Sequence, residues 1–238
     1  MGVKKRVQKK SFIKKEVEEI VPASTKFLNF FFRYAKESLT MLTIFILIGA
    51  FFFLWNIYSS SQEKKARELF TEAYKYYSRA IDRGNSSDYQ LASVKLNDLV
   101  NKFPRTAVGE KSLFYLGNCY YWVRDYNNAE KYFRLFIDKS SKKEKLLRKY
   151  SYESLGYAAE ESSKFDKAIE YFKKAAEESD STNLDDYGLM NLARVYEEMK
   201  KNDKAIEIYQ KIIKDYPQTD YMGIAKSRLF TLKTHSTN

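Results

Sequence analysis

The feature that most constrains this chain is an internal period. Three stretches repeat the same letters in register: LFYLGNCYYWVRDYNNAEKYFRLF from Leu113, YESLGYAAEESSKFDKAIEYFKKA from Tyr152 and LMNLARVYEEMKKNDKAIEIYQKI from Leu189. Each holds a Leu followed by a small residue (Leu116-Gly117, Leu155-Gly156, Leu192-Ala193), and twelve residues after that small residue comes Ala129, Ala168 or Ala205. Four residues further on stands an aromatic ring: Phe133, Phe172 or Tyr209. Two small residues at this separation let a pair of consecutive helices approach closely, while the Leu and the ring fill the space beside the crossing. One such hairpin cannot bury its own apolar face, so copies must stack.

A weaker first copy is fixed by DYQLASVKLNDLVNKFP, in which Ala92, Leu96, Leu99 and Pro104 take second-helix positions. Its first helix is expected within residues 62–83, with Ala73 or Ala80 as the small residue and Gly84-Asn85-Ser86-Ser87 as a lengthened turn. The predicted repeats are therefore about 62–104, 110–141, 149–180 and 186–217, closed by an amphipathic capping helix at 219–232. Gly (8) and Pro (3) are scarce over long stretches without turn clusters, so the chain reads as all-α.

Residues 39–58, LTMLTIFILIGAFFFLWNIY, contain no charge. At about 1.5 Å per residue a helix of this length spans the roughly 30 Å hydrocarbon core of a bilayer. Trp55 and Tyr58 close the stretch, where amphipathic rings favour the headgroup level. The 38 residues before it hold ten Lys or Arg against four acids. A short basic flank stays in the cytoplasm, which places the N-terminus inside and everything after Tyr58 outside. A cleaved signal peptide is the competing reading, against which the apolar core is long and Trp55 and Tyr58 are bulky. Phe27, Phe30, Phe31 and Tyr34, spaced i, i+3, i+4, i+7 beside Lys26 and Arg33, read either as an interfacial helix or as an extension of the span. Residues 1–19 read as a flexible basic arm.

The formal charge of +11 and pI near 9.3 raise nucleic acid as a partner, but the membrane accounts for the densest positive charge, and no nucleic-acid partner is expected. With Cys119 as the only Cys and His235 as the only His, a catalytic triad, an intramolecular disulfide and a Cys/His metal site all lack the residues they need. No catalytic residue, metal or cofactor is expected, and the chain is read as a non-enzyme. Glu160-Glu161 and Glu197-Glu198 are helical neighbours pointing about 100° apart, so they do not converge for acid-base work.

The recurring letters resemble the tetratricopeptide repeat, over about residues 62–232. The resemblance implies an all-α solenoid of helical hairpins; together with the single N-terminal transmembrane helix read above at 39–58, it makes 1–38 a basic cytoplasmic segment and 59–238 an extracytoplasmic repeat domain. The order of basic segment, span ending in Trp and Tyr, and ARELFTEAYKYY helix is similar to the bacterial inner-membrane repeat protein associated with the Sec translocon. The stretch from Asp88 to Ile137 also resembles periplasmic repeat proteins of outer-membrane assembly and cell-division coordination. These similarities imply a scaffold at the bacterial cytoplasmic membrane serving secretion or envelope assembly, with chaperone-like client binding within its range. The alternative is a structural adaptor that positions cell-division or cell-wall enzymes.

Family members bind protein segments on the concave face formed by the first helices. The matching positions here are Lys111, Phe114, Asn118, Tyr121 and Trp122 in the second copy; Tyr150, Glu153, Tyr157, Glu160 and Glu161 in the third; and Tyr187, Met190, Arg194, Glu197 and Glu198 in the fourth. The candidate partner-binding set is Lys111, Phe114, Asn118, Tyr121, Trp122, Tyr157 and Arg194, centred on Tyr121, Trp122 and Tyr157. Asn118 matches one position of the family's carboxylate clamp, but Phe114 and Glu153 stand where that clamp wants a cation, so a ligand with apolar and basic side chains is expected. That several of these tyrosines are instead inter-repeat packing stays open.

Overall fold

The computed structural model describes residues 23–178 and 185–235. The flexible arm expected at 1–19 lies outside the described residues. The chain divides into two compact units, Met1–Tyr58 and Ser59–Asn238.

In the first unit, α1 (Ala23–Arg33) is separated from the next helix only by a turn residue, Tyr34, whose N–H donates to the Phe30 carbonyl at 3.1 Å. Phe27, Phe30 and Tyr34 are exposed. The next element, α2 (Ala35–Arg83), holds both the uncharged stretch and the first helix of the first hairpin, and no helix end falls at Tyr58. Every residue from 39 to 58 is exposed, so among the described residues no protein surface covers this apolar helix. It is long and apolar enough to cross a membrane.

In the second unit the end of α2 pairs with α3 (Ser86–Lys102), and three hairpins follow: α4 (Ala107–Trp122) with α5 (Tyr126–Lys139), α6 (Lys145–Glu161) with α7 (Phe165–Glu177), and α8 (Asp186–Glu198) with α9 (Asn202–Asp215). The capping helix α10 (Met222–His235) begins three residues later than the sequence predicts. Among the described residues there is no strand, and the solenoid is all-α.

The helix starts are written in the sequence. Asn85, Thr106, Asp125 and Asp185 each accept a backbone N–H of the first turn through their side-chain oxygen, at 2.8 to 3.1 Å. The turn inside each hairpin is also shared. Gly84, Arg124, Ser163 and Lys200 adopt positive φ (62°, 62°, 56° and 57°), and the residue after each sends its N–H back to a carbonyl five residues earlier, as Asp125 does to Tyr120 at 2.9 Å. In the first hairpin this turn is only Gly84-Asn85, because Ser86 and Ser87 already belong to α3. The lengthened turn expected there is absent: with Asn85 free to cap, the two serines supply first-turn positions. Ala73 and Ala80 are both fully buried, so both serve as small residues along α2.

The crossings are as close as the small residues predict. A Cβ added to Gly117 would lie 2.8 Å from the Phe133 ring, and one added to Gly156 would lie 2.5 Å from Phe172. The ring that fills the hairpin thus occupies the space a side chain would need. Buried apolar residues form two clusters. The larger runs from Ala73 through the first three hairpins to Leu192 and Val195, and the smaller joins Leu189, Ala193, Ala205, Tyr209, Ile212, Ala225 and Leu232.

Candidate functional site

The expected site residues lie on the first helices of the hairpins, and their surroundings differ along the solenoid. On α4, Phe114 is half-buried, 6.0 Å from the ring centroids of both Phe133 and Phe136 and 5.4 Å from Tyr115. Asn118 donates from Nδ2 to the Phe114 carbonyl at 3.1 Å, a bond within its own helix. Lys111 reaches Glu144 at 3.4 Å, before the start of α6. Trp122 is 56% exposed, and its inner face stacks on Tyr89 of α3 at 5.8 Å with 10° between planes. Tyr121 touches Trp122 and Tyr126, and its phenol is pushed up to about 12, first by burial and then by Glu161.

Beside these stands an aromatic cluster absent from the sequence-derived set. Phe70, Tyr74 and Tyr77 of α2 each meet Tyr115 of α4 edge-on, at 5.2, 5.7 and 5.2 Å. Edge-to-face contacts of this kind add to plain burial. The i, i+4, i+7 spacing of Phe70, Tyr74 and Tyr77 carries the signal; it places all three on one face of α2.

Tyr157 of α6 and Arg194 of α8 come together directly. The Arg194 guanidinium lies 5.4 Å from the centre of the Tyr157 ring, pairs with Glu160 and donates to Asn191 Oδ1 at 3.2 Å. The Tyr157 hydroxyl donates to the same Oδ1 at 3.0 Å and is bonded to the Tyr187 hydroxyl. Burial and the Tyr187 hydroxyl hold the Tyr157 phenol well above its usual range. One helix pair further on, Arg228 of α10 pairs with Glu197, which also accepts from the Tyr209 hydroxyl at 2.6 Å. An Arg–Glu rung thus joins α6 to α8 and again α8 to α10.

Between α8 and α10 the face opens into a cleft of about 440 Å³. Tyr187, Met190, Asn191, Arg194, Glu197 and Glu198 line it from α8, and Tyr209, Tyr221, Ile224 and Arg228 complete it. Asn191 is 5% exposed, and its Nδ2 has no hydrogen-bond partner among the described residues; the same holds for Glu160 Oε2. Asn191 was not singled out from sequence, because it is one residue removed from the matched family position Met190. Deeper in the third hairpin, Glu153 is buried 3.8 Å from Lys149, and burial outweighs that cation and pushes the carboxyl up to about 7. Among the described residues no group of three or more His, Cys, Asp or Glu could hold a metal ion.

Comparison with known proteins agrees with this geometry. Profiles of the tetratricopeptide repeat family match residues 111–142, 150–181 and 187–219. Among solved structures, the chain is similar to the nearly identical TPR-like repeats attributed to a kinesin light chain of Podosopora anserina, with 14% identity, a TM-score of 0.57, and coverage of 74% of this chain and 88% of that one. It is also similar to the apo form of RapI, with 14% identity, a TM-score of 0.56, and coverage of 70% of this chain and 65% of that one. A tetratricopeptide repeat protein from Parabacteroides merdae gives 14% identity and a TM-score of 0.53, with coverage of 71% and 61%. No curated protein matches the chain. These three stretches thus match the tetratricopeptide repeat, whose fold generally serves as a non-catalytic scaffold for protein–protein interaction.

Proposed function

We propose that this protein is a membrane-anchored adaptor that offers the first-helix face of its repeats to protein partners outside a bacterial cytoplasmic membrane. The observation that carries the reading is the pairing, in one chain, of an interaction scaffold with an uncharged helical stretch exposed over all of residues 39–58. Such a surface needs lipid to cover it. The basic flank before the stretch supports a cytoplasmic N-terminus, and α1, whose sequence groups Lys26, Asn29 and Arg33 within one arc of the helix beside Phe27 and Phe30, suits the lipid headgroup region. Work in secretion or envelope assembly, including the holding of exported clients, follows from the resemblance in overall arrangement.

Two measurements test this. Protease added to spheroplasts is expected to digest the repeats while the span stays in the membrane; full protection of the repeats, or a mature N-terminus near Gln62, overturns the anchored topology. Purification from mild detergent followed by mass spectrometry is expected to recover translocon or envelope-assembly components. Recovery of division or cell-wall enzymes instead selects the positioning adaptor.

A further inference from the structure

We infer that the cleft between α8 and α10 is a docking site for an extended peptide segment bearing an aliphatic side chain next to a Lys or Arg. This rests on the adaptor reading and assigns the partner chemistry to one end of the repeat face.

The first argument is the Asn191 amide. Arg194 can only donate, and it points at Oδ1 from 3.2 Å, so the amide cannot be flipped and Nδ2 faces away from the guanidinium. Tyr157 adds a second donor to the same oxygen. The two hydrogens of Nδ2 are thereby committed to a direction in which no described residue accepts them, on a side chain that is 5% exposed and lines the cleft. A buried donor without an acceptor costs about 1–3 kcal/mol, so it calls for one. The carbonyl of a peptide unit is the acceptor that Nδ2 lacks.

The second argument is what surrounds this amide. Met190 and Ile224 face the cleft from opposite helices, and Ile224 is 52% exposed although it belongs to the cleft wall. Tyr187 and Tyr221 stand 6.0 Å apart beside them. Such a lining accepts a branched or flexible aliphatic side chain, with Met able to adapt. The third argument is charge. Glu197 is matched by Arg228 and Glu160 by Arg194, whereas Glu198 is exposed at the margin and makes no ion pair among the described residues. The cleft is left with an unmatched carboxylate that favours a cationic neighbour on the ligand. The volume of about 440 Å³ falls in the ordinary range for ligand sites.

The test uses the full chain in detergent micelles and fluorescein-labelled, end-capped peptides Gly-Ser-Lys-Leu-Lys-Ser-Gly, with Leu→Ala and Lys→Glu versions. Fluorescence polarisation is expected to show saturable binding of the Lys-Leu-Lys peptide, at least tenfold tighter than either altered version. Asn191→Asp keeps the acceptor that Tyr157 and Arg194 use and removes the donor; it is expected to weaken binding tenfold or more with the thermal melt retained. Ile224→Ala, at an exposed position, is expected to weaken it several-fold without affecting folding. No saturable binding below about 1 mM overturns the inference. Binding that survives Asn191→Asp and Ile224→Ala but is lost in Trp122→Ala also overturns it, and leaves the adaptor reading standing with its site at the other end of the face. Binding lost only when the span is exchanged for another apolar sequence overturns both.

Discussion

The first helices of the second and fourth hairpins differ in what surrounds their matching positions. On α4 aromatic packing takes up much of the helix: Phe114, which the repeat pattern offers to a partner, packs on two rings of α5, and its neighbour Tyr115, outside that pattern, is enclosed by three aromatics of α2, while Trp122 stays more than half exposed. On α8 the matching positions are a tyrosine, a methionine, an arginine and two glutamates, of which Tyr187, Arg194 and Glu197 reach across to polar partners on neighbouring helices, and all five line a cleft. The difference teaches that aromatic residues on a solenoid's first helices are not by themselves a binding surface. Where rings outnumber charges they close the face by packing; where charges interrupt them the face stays open.

The strongest way to break the contrast is to force a hairpin apart. Gly156→Leu must displace Phe172 from the larger cluster, and it is expected to cost roughly 3 kcal/mol in thermal melts of a fragment starting at Ser59, against little for the exposed Lys173→Ala. Ala193→Leu strikes the smaller cluster, so it is expected to loosen α8 to α10 while hydrogen exchange in α4 and α5 stays slow. Equal effects from Gly156→Leu and Lys173→Ala would show the hairpin register to be wrong.

A smaller effect separates packing from exposure within the proposed partner face. Tyr157→Phe removes a hydroxyl bonded to Tyr187 and Asn191 and is expected to cost about 1–2 kcal/mol, whereas Trp122→Ala, more than half exposed, is expected to cost less than about 1 kcal/mol. The reverse order would mean that the stacking of Trp122 on Tyr89, not the Tyr157 hydroxyl, ties the neighbouring repeats together.

The third hairpin also carries a pH signature. The carboxyl of Glu153 titrates near 7 when folded and near the ordinary glutamate value when unfolded, so the folded state binds the proton more tightly. Stability from this group is full below about 4.5 and is lost as pH rises through about 7. Glu153→Gln is expected to flatten the fall in melting temperature between pH 5 and 8, by about the contribution of one proton. An unchanged slope would place the titration elsewhere.

Smallest of all, Arg124, Ser163 and Lys200 hold positive φ without being glycine, and Gly84 takes the same conformation in the first hairpin at no steric cost. Replacing Lys200 with Gly is expected to stabilise the fragment by about 0.5–1 kcal/mol, the left-handed penalty less the added chain entropy. A loss of stability on denaturant titration would contradict the shared turn.

The hairpins were legible in the sequence because their determinants are local and periodic: a small residue, an alanine twelve positions on and a ring four further set each crossing regardless of context. The state of these positions was not, because it depends on contacts between residues about 30 to 45 apart that the repeat pattern does not encode. Trp122 on Tyr89 and Phe70 on Tyr115 are of this kind. The first turn escaped for a simpler reason. Gly84-Asn85 alone closes the hairpin, and the serines that follow look like loop residues although they suit a helix start equally well.

Cys119 is the single cysteine of the chain, fully enclosed on α4, with its thiol pushed up to about 12 by burial. Alkylating reagents attack the thiolate, so the folded protein is silent towards them until this helix opens. The molecule thus carries its own stopwatch. Because the sulfur sits in the larger of the two clusters, slow labelling times the rupture of the first three hairpins and ignores fraying at the C-terminal end, and no residue has to be introduced to read it.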